Sequence, residues 1–286
     1  MTTVAAPAPA SSEWKLALPL AAFMAAFFVA PLVVLIAMSL HADADLKAWS
    51  LAQYAKFLGE TFNLRILAET LWLGVKATLV CLFFGYPLAW LAARARPRVQ
   101  SIMLFVIILP ILTSVVVRTF SWIVILGQQG ILNKALLALQ IVDEPMKLLF
   151  TETGVVMVLA QVQLPLIVLP LLTTLARIDP NLASASSALG AGEWRTFFSV
   201  TLPLSVPGVV AGCILAFAAC VTAFVTQTLI GGARLVYMPL FIYQQAVGAN
   251  NWPFAAAMSV IFMVAVLFVV YALNLVARSS RGQIYG

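Results

Sequence analysis

The sequence predicts an all-α, polytopic membrane protein with six transmembrane helices, and three observations support this prediction. The 286 residues are 63% hydrophobic and only 9% charged, whereas roughly 25% of the residues in a soluble domain are charged. The mean hydropathy of +1.06 indicates more apolar surface than one soluble core can bury. Apolar runs long enough to cross a hydrocarbon core of about 30 Å recur along the chain, separated by polar segments.

The first part of the chain contains one span and one outer loop. Residues 1–15 are polar and rich in Pro and Ala, so we expect a disordered cytoplasmic segment. No basic n-region precedes the first apolar run, which is also too long for a cleaved signal peptide. We expect the first span at about 16–40. The aromatic residues of the polar loop 41–68 suit a partly folded loop at the membrane surface, and we group 16–65 as one unit.

The rest of the chain contains the other five spans. We expect them at about 69–93, 101–126, 153–176, 207–230 and 254–277. Pro110 lies near the middle of the third span. In the loop 127–152, the run 131–141 is compatible with a short helix along the outer surface. A cytoplasmic tail, 281–286, follows the last span.

Basic residues in short loops predict the orientation. If the spans alternate, these residues fall on one side of the membrane: Arg94, Arg96, Arg98, Arg177, Arg195, Arg278 and Arg281. The opposite loops mix their cations with most of the acidic residues. Both termini and the loop 177–206 are therefore expected in the cytoplasm.

Composition also limits the chemistry. The net charge of +6 arises beside the spans and not along a stripe, so it does not indicate nucleic-acid binding. His41 is the only histidine, and Cys81, Cys213 and Cys220 lie in apolar runs without metal or disulfide spacing. No GxxxxGK[ST] motif occurs, so the chain itself does not bind ATP through a P-loop. We expect no catalytic residue, no metal and no cofactor, and hence no enzyme.

The segment 181–208 lies between two long apolar runs, 152–176 and 207–230, and is far less apolar than either of them. Its small residues favour a helix, Gly190 can end that helix, and Pro207 suits the first turn of the next one. The segment therefore predicts a short helix, a break, a second short helix and then a sharp entry into the membrane.

This segment resembles the coupling loop of ABC importer permeases. The family pattern is Glu-Ala-Ala, three residues, Gly, nine residues, then Ile-x-Leu-Pro. Here nine residues follow Gly190 before Val200-Thr201-Leu202-Pro203, while Ser184-Ala185-Ser186 stand at the Glu-Ala-Ala positions. The chain thus departs from the pattern at its acidic residue. The resemblance implies a coupling helix that docks in a groove of the ATP-binding subunit.

The residues expected to couple to the ATPase are Ser184, Ala185, Ser186, Leu189, Gly190, Glu193, Arg195, Leu202 and Pro203. Because the family's acidic residue is replaced, we expect docking mainly through apolar contacts. These contacts would come from Leu189, Trp194, Phe197 and Phe198, with Glu193 and Arg195 at the rim.

The wider resemblance covers about 66–280 and is closest to the spermidine/putrescine-type permease subunits of type I importers. It is carried by TLVCLFFGYPLAW at 78–90, by the third span with Pro110 and Arg118, by 130–150, and by GANNWPFAAAMS at 248–259. It implies a type I ABC importer permease fold in a bacterial inner membrane. The implied partners are an ATPase dimer, a second related permease in a heterodimer, and a periplasmic binding protein that delivers a polyamine.

Polar residues inside the spans and aromatic residues at their outer ends are candidates for the translocation path. They are Arg118, Trp122, Gln161, Gln163, Thr226, Gln227 and Tyr243. Charges within a membrane are costly, so Arg118 either faces the path or extends to the headgroups, and Lys76 favours the headgroups. The aromatic residues equally suit an interfacial belt, and the polar ones equally suit interhelical hydrogen bonds.

One observation opposes a polyamine substrate, because none of the ten acidic residues lies deep within a span. The same machinery could carry another small solute such as an amino acid derivative, an opine or an aminophosphonate. An ion-coupled secondary transporter is a further alternative, although it would need intramembrane acids. A membrane scaffold would need no coupling loop at all.

Overall fold

The computed structural model describes residues 13–42 and 48–282. In this part of the chain the regular structure is helical, apart from one isolated bridge between His41 and Trp49. The predicted disordered segment falls, up to residue 12, outside the described residues, as do tail residues 283–286. The helices are α1 Glu13–Ser39, α2 Ala52–Gly59, α3 Thr61–Arg94, α4 Pro97–Leu112, α5 Val115–Leu126, α6 Ile131–Ala138, α7 Glu152–Leu175, α8 Pro180–Ala188, α9 Glu193–Thr196, α10 Leu202–Val221, α11 Phe224–Gly231, α12 Met238–Tyr243 and α13 Trp252–Gly282.

Within the described ranges, six helical runs are long and apolar enough to cross a membrane, which confirms the predicted fold class. They are Leu18–Ser39, Thr61–Arg94, Val115–Ala138, Glu152–Leu175, Glu193–Val221 and Trp252–Leu275. A further pair of helices, Phe224–Arg234 and Met238–Gly248, is bent by 86° and would add a seventh span if it is counted as one. A short helix is present within the predicted run 131–141 as α6, but it forms part of the run Val115–Ala138, which lies further along the chain than the third span predicted at 101–126.

Two predicted spans are interrupted. The span predicted at 101–126 consists of α4 and α5, which are separated at Thr113 and Ser114. The span predicted at 207–230 ends at Val221, and α11 follows after Thr222 and Ala223. Hydropathy remains high across both breaks, so an apolar run alone does not reveal them.

The entry into the fifth span also differs from the prediction. Helical structure is continuous from Glu193 through a π-helical turn, Phe197–Thr201, into α10. Pro203, and not Pro207, lies in the first turn of α10, while Pro207 lies inside it. Proline needs no N–H partner in a first turn, and the preceding π-helical turn accommodates the change in backbone pattern.

The chain divides into two compact units. The smaller one contains α1, α2 and residues 242–261. In it the loop before α2 is folded, since Gln53 donates a hydrogen bond to the Ala42 carbonyl and Ser39 shares a hydrogen bond of 2.6 Å with the Tyr54 hydroxyl.

The larger unit contains residues 61–241 and the chain from 262 onward, and its core is formed by α3, α7 and α10. Small residues allow these helices to approach closely. A Cβ atom on Gly212 would lie 3.0 Å from the Ile167 Cα atom, and one on Gly208 would lie 2.8 Å from the Thr174 Cβ atom. Close backbone approach at small residues is typical of helix pairs in membranes. This three-helix core carries the functional surfaces described next.

Candidate coupling surface and translocation path

The loop between α7 and α10 has well-defined helix ends. The Asp179 carboxylate accepts a hydrogen bond from the Asn181 N–H at 2.9 Å, and Pro180 starts α8. At the other end Gly190 adopts a positive φ of 83°. The Gly190 N–H bonds to the Ser187 carbonyl and the Ala191 N–H to the Ser186 carbonyl, which is the Schellman pattern of helix termination. The predicted short helix and the break after it are confirmed, whereas the second helix is not a separate short one, because it continues into α10.

The backbone conformation at position 190 requires glycine, whereas the space around the residue would allow a side chain. A Cβ atom at this position would meet no atom within 4 Å, but residues with a side chain rarely adopt its φ. Gly192 has equally open surroundings but an ordinary φ of −70°. The two glycines therefore form a matched pair that separates backbone strain from added bulk.

The three most exposed large apolar side chains of this loop are Leu189, Trp194 and Phe198, and we call them the coupling face. Their exposed fractions are 90%, 78% and 58%. The rings of Trp194 and Phe198 are stacked at 6.3 Å, which holds both on one surface. An exposed apolar surface of this kind indicates an interaction site.

Phe197 does not belong to this face, contrary to the sequence prediction. Its ring packs edge-on against Tyr86 at 5.7 Å and against Trp90 at 6.2 Å. The π-helical turn rotates Phe197 toward α3 and leaves Phe198 outside. Phe197 thus anchors the loop to α3, and the Tyr86–Ser205 hydrogen bond of 3.0 Å joins α3 to α10 at the same level.

The other predicted coupling residues lie on the same loop. Ser184 and Ala185 are exposed on α8, and Glu193 and Arg195 are exposed on α9. Ser186 shares a hydrogen bond of 3.0 Å with Thr196, which ties α8 to α9. Leu202 and Pro203 begin α10 and are half-buried.

A cleft of about 400 Å³ separates this loop from α3. Its walls include Tyr86 and Trp90 of α3, Ser187 of α8, and Glu193 and Trp194 of α9. At its rim the Arg94 guanidinium lies 4.1 Å from the centre of the Trp90 ring. The loop is thus held to α3 by aromatic contacts along one edge and not by continuous packing.

The break between α4 and α5 is closed by an arginine. The Arg118 guanidinium, on α5, donates to the Pro110 carbonyl near the end of α4. The hydroxyl of Thr113 donates to the same oxygen at 2.9 Å. A cation at a helix C-terminus is favoured by the helix dipole. Arg118 therefore has a partner inside the protein and stabilises a non-helical turn within an apolar segment.

The break between α10 and α11 has a comparable arrangement. The Gln227 amide, on α11, donates to the carbonyls of Cys220 at 2.7 Å and Val221 at 3.2 Å, at the end of α10. Gln227 is only 1% exposed, and its Oε1 atom has no hydrogen-bond partner among the described residues. In both breaks, a side chain from the second helix caps the first.

The two helices that follow these breaks pack against each other. Thr119 of α5 lies 3.4 Å from Thr226 of α11, hydroxyl to hydroxyl. The Trp122 indole N–H donates to Gln161 Oε1 on α7 at 3.1 Å. Gln163 is half-buried on α7, and Tyr243 is half exposed on α12 in the smaller unit. The structure thus brings together the regions of Arg118, Trp122, Gln161, Thr226 and Gln227.

The family model described as "Binding-protein-dependent transport system inner membrane component" matches residues 85–282, which is more than half of the chain. The chain belongs to this family. It is therefore a multi-pass inner-membrane permease of a binding-protein-dependent transport system.

Several characterised permeases are similar to this one. The spermidine/putrescine transport system permease protein PotB of Haemophilus influenzae is 35% identical over 201 residues, which cover 69% of this permease and 70% of the relative. PotB of Escherichia coli is 33% identical, with coverages of 74% and 77%. The molybdenum transport system permease protein ModB of Azotobacter vinelandii is 31% identical, with coverages of 73% and 93%.

Solved structures share the fold of the permease. A chain of a bacterial ABC transporter involved in the import of the acidic polysaccharide alginate matches with a TM-score of 0.76 and 16% identity, over 93% of this permease and 94% of that chain. The same type of transporter in complex with an alginate pentasaccharide-bound periplasmic protein matches with a TM-score of 0.73. At this identity the likeness establishes the fold alone.

An ion pair between α3 and α7 is one polar contact that the sequence does not predict. The Lys76 ammonium bonds to Glu152 Oε1 at 2.6 Å, joining α3 to the start of α7. We had expected Lys76 to extend to the headgroups. Residues 76 positions apart in sequence give no local signal for such a pair, so only the packing of α3 on α7 reveals it.

Proposed function

We propose that this permease forms half of the translocation path of an ATP-driven importer, and that 177–206 is its coupling loop. The observation that carries the proposal is the coupling face. Leu189, Trp194 and Phe198 expose apolar surface next to a rigidly capped helix end. Isolated exposed apolar residues are ordinary, but adjoining large ones mark an interface. The partner would be the ATP-hydrolysing subunit.

The loop has the connections needed to transmit motion. The bond between Ser186 and Thr196 ties α8 to α9, and α9 continues without a break into α10. Phe197 links the same segment to α3 through Tyr86 and Trp90. Movement of the ATPase would therefore displace α10 and the end of α3 together, as in rigid-body alternating access.

The proposed orientation places the coupling loop and both termini in the cytoplasm, where an ATPase dimer can reach the loop. The turn between α3 and α4, with Arg94, Arg96 and Arg98 exposed, supports this side by the positive-inside rule. A second, related permease would complete the path in a heterodimer. Ser184 at the position of the family's acidic residue favours a partner that carries the fuller pattern.

We infer that the substrate is a polyamine. The support is the similarity to permeases named for spermidine and putrescine, at 33% to 35% identity over about 70% of each chain. The relative named for molybdenum transport keeps another small solute as the second candidate. The family match favours either importer over an ion-coupled secondary transporter.

The experiment uses the tagged permease purified from its native membrane in mild detergent. We expect a P-loop ATPase, a second six-span permease and ATP hydrolysis in the eluate. Proteoliposomes of that complex, supplied with the binding protein, should take up radiolabelled spermidine only when ATP is present on the ATPase side.

A variant with Trp194→Ala and Phe198→Ala should lose the ATPase, whereas the control Leu139→Ala, at an exposed site on another loop, should retain it. Purification of the permease alone would contradict the proposal, and uptake of another solute only would contradict the polyamine.

A further inference from the structure

Three side chains meet at the end of α3 that is remote from the coupling loop, and Tyr237 packs against the same segments of α3 and α7. We call the four residues the Lys76 cluster: Trp72, Lys76, Glu152 and Tyr237. The Lys76 ammonium bonds to the Glu152 carboxylate at 2.6 Å and lies 5.6 Å from the centre of the Trp72 ring. These side chains are accessible, since Trp72 is 57% exposed and the side chains of Lys76 and Glu152 are 35% and 44% exposed.

Tyr237 adds a polar group that has no partner of its own. It is only 4% exposed, and its hydroxyl forms no hydrogen bond with any residue that the structure describes. Tyr237 packs in one apolar cluster with Leu73, Ala77 and Val155, which are close neighbours in the chain of Trp72, Lys76 and Glu152. Its hydroxyl oxygen is not one of the buried polar atoms that lack a partner, so the oxygen reaches accessible surface, where a polar group is normally hydrogen-bonded. Its free hydrogen-bonding capacity beside Glu152 is an independent indication that the cluster accepts another polar group.

The surroundings of the Lys76 ammonium are those that would recognise a primary amine. A carboxylate supplies a charge-assisted hydrogen bond, and an indole face attracts a cation through its quadrupole. The lysine side chain ends in a primary alkylammonium, the same group that ends putrescine and spermidine. Lys76 thus serves as a tethered stand-in for one end of a polyamine.

The location of the cluster suits a point of substrate entry. Lys76 precedes Arg94 by 18 residues of α3, which corresponds to about 27 Å at 1.5 Å per residue. Arg94 borders the cleft beside the coupling loop. The cluster therefore lies about one hydrocarbon thickness away from the coupling loop, on the side to which a binding protein would deliver its ligand.

We propose that Trp72, Glu152 and Tyr237 form a subsite for one primary ammonium group of the substrate, and that Lys76 occupies this subsite when no substrate is bound. The inference rests on the proposed polyamine function and deepens it. A half-exposed ion pair contributes little to stability, so exchange of Lys76 for substrate has a low cost. The subsite also supplies the carboxylate whose absence from the apolar runs opposed a polyamine substrate.

The test measures the equilibrium Kd of radiolabelled spermidine for the purified importer complex without binding protein. Glu152→Gln should weaken binding about tenfold, because a hydrogen bond to a charged group is lost. Lys76→Met keeps the side-chain length but removes the competing ammonium, so it should tighten binding about threefold. The opposite directions of these two changes in Kd are decisive. If the ion pair were purely structural, removing either partner would change Kd in the same direction.

Two controls and a parallel assay complete the test. Arg65→Met removes one positive charge from the same end of α3, where Arg65 pairs with Glu69 at 2.7 Å, and should change Kd less than about twofold. Tyr237→Phe should weaken binding about threefold. Weaker binding in both Lys76→Met and Glu152→Gln, or no change in either, would overturn the subsite. If the wild-type complex transports spermidine but none of these variants alters Kd, only the subsite fails; if it transports no polyamine, the proposed function fails with it.

Discussion

The two ends of α3 both place a basic side chain over a tryptophan, but the two pairs are built differently. At the coupling end, the flat guanidinium of Arg94 lies 4.1 Å from the Trp90 ring centre, and among the described residues no carboxylate lies within ion-pair distance of it. At the other end, Lys76 lies 5.6 Å from the Trp72 ring centre and bonds directly to Glu152.

The difference follows from the chemistry of the two cations. A guanidinium is planar and weakly hydrated, so it stacks on an indole and remains there as a structural contact. An ammonium is a strongly hydrated point charge, which can be exchanged for another ammonium. We therefore expect changes at the coupling end to alter turnover, and changes at the Lys76 end to alter substrate affinity. The predictions below test this distinction in order of decreasing effect.

The largest effect is expected where the scaffold shared by both ends is broken. Gly212→Leu would place a side chain against the Ile167 backbone, which lies 3.0 Å from the position of a Cβ atom. Overpacking of this kind costs about 1–3 kcal/mol or more. We expect the variant to elute as aggregate on size exclusion after detergent extraction. Ala211→Leu, at the adjacent exposed position, should elute like the wild type, and aggregation of both variants would contradict the packing argument.

A large effect on turnover is expected at Gly190. Valine strongly disfavours a φ of 83°, at a cost of about 1–2 kcal/mol, so Gly190→Val should disrupt the helix cap and lower ATP-driven transport about tenfold. Asparagine tolerates this conformation, and Gly190→Asn should keep more than half of the activity, as should Gly192→Val. Spermidine Kd should not change in any of the three. If Gly190→Asn is as inactive as Gly190→Val, bulk at the interface and not backbone strain is the cause.

A moderate effect is expected from the guanidinium itself. Arg94→Lys keeps the charge but loses the stacked contact with Trp90, which is worth about 0.5–1 kcal/mol. Transport turnover at saturating substrate should fall about threefold, with spermidine Kd unchanged. Arg96→Lys, at an exposed position of the same turn, serves as the control and should behave like the wild type. A change in Kd and not in turnover would remove the distinction between the two ends.

The smallest effect is expected at the position where the loop departs from its family. Ser184 is exposed, and among the described residues its hydroxyl bonds only to the Pro180 carbonyl of its own helix, at 3.4 Å. Ser184→Glu should therefore be accommodated in the middle of α8, where it restores the acidic residue of the family pattern. Stimulated ATPase activity should stay equal or rise up to about twofold. A loss of activity would indicate that the partner's groove is adapted to the serine.

The coupling loop was largely predictable because its signals are local. Asp179-Pro180 and Gly190 mark helix ends by backbone chemistry that acts within four residues. The count of spans was predictable for a similar reason, since membrane thickness sets the length of an apolar run. Phe197 and Phe198 were not distinguishable, because their rings contact each other at 5.1 Å and only Phe197 also packs against the distant helix α3.

The candidate path was less predictable because it depends on packing between distant segments. Pro110 suggested a disturbance in the third span, but a proline often only kinks a helix. Nothing in the sequence indicates that Arg118 bonds to the Pro110 carbonyl, that Gln227 caps α10, or that Lys76 meets Glu152. The first two pairings depend on the breaks between α4 and α5 and between α10 and α11, and the third depends on the packing of α3 against α7.

The most direct test of the account is the labelling of single cysteines by a membrane-impermeant maleimide. Leu189→Cys lies on the coupling face at a site that is 90% exposed, and Leu139→Cys lies at a 69% exposed site on the loop between α6 and α7. The native cysteines are buried or half-buried and are changed to serine or alanine for the assay. We predict that Leu189→Cys is labelled only in inside-out vesicles stripped of the ATPase and is protected when the ATPase is restored, while Leu139→Cys is labelled only from the outside. Labelling of Leu189→Cys from the outside, or without protection by the ATPase, would contradict the assignment of the coupling face.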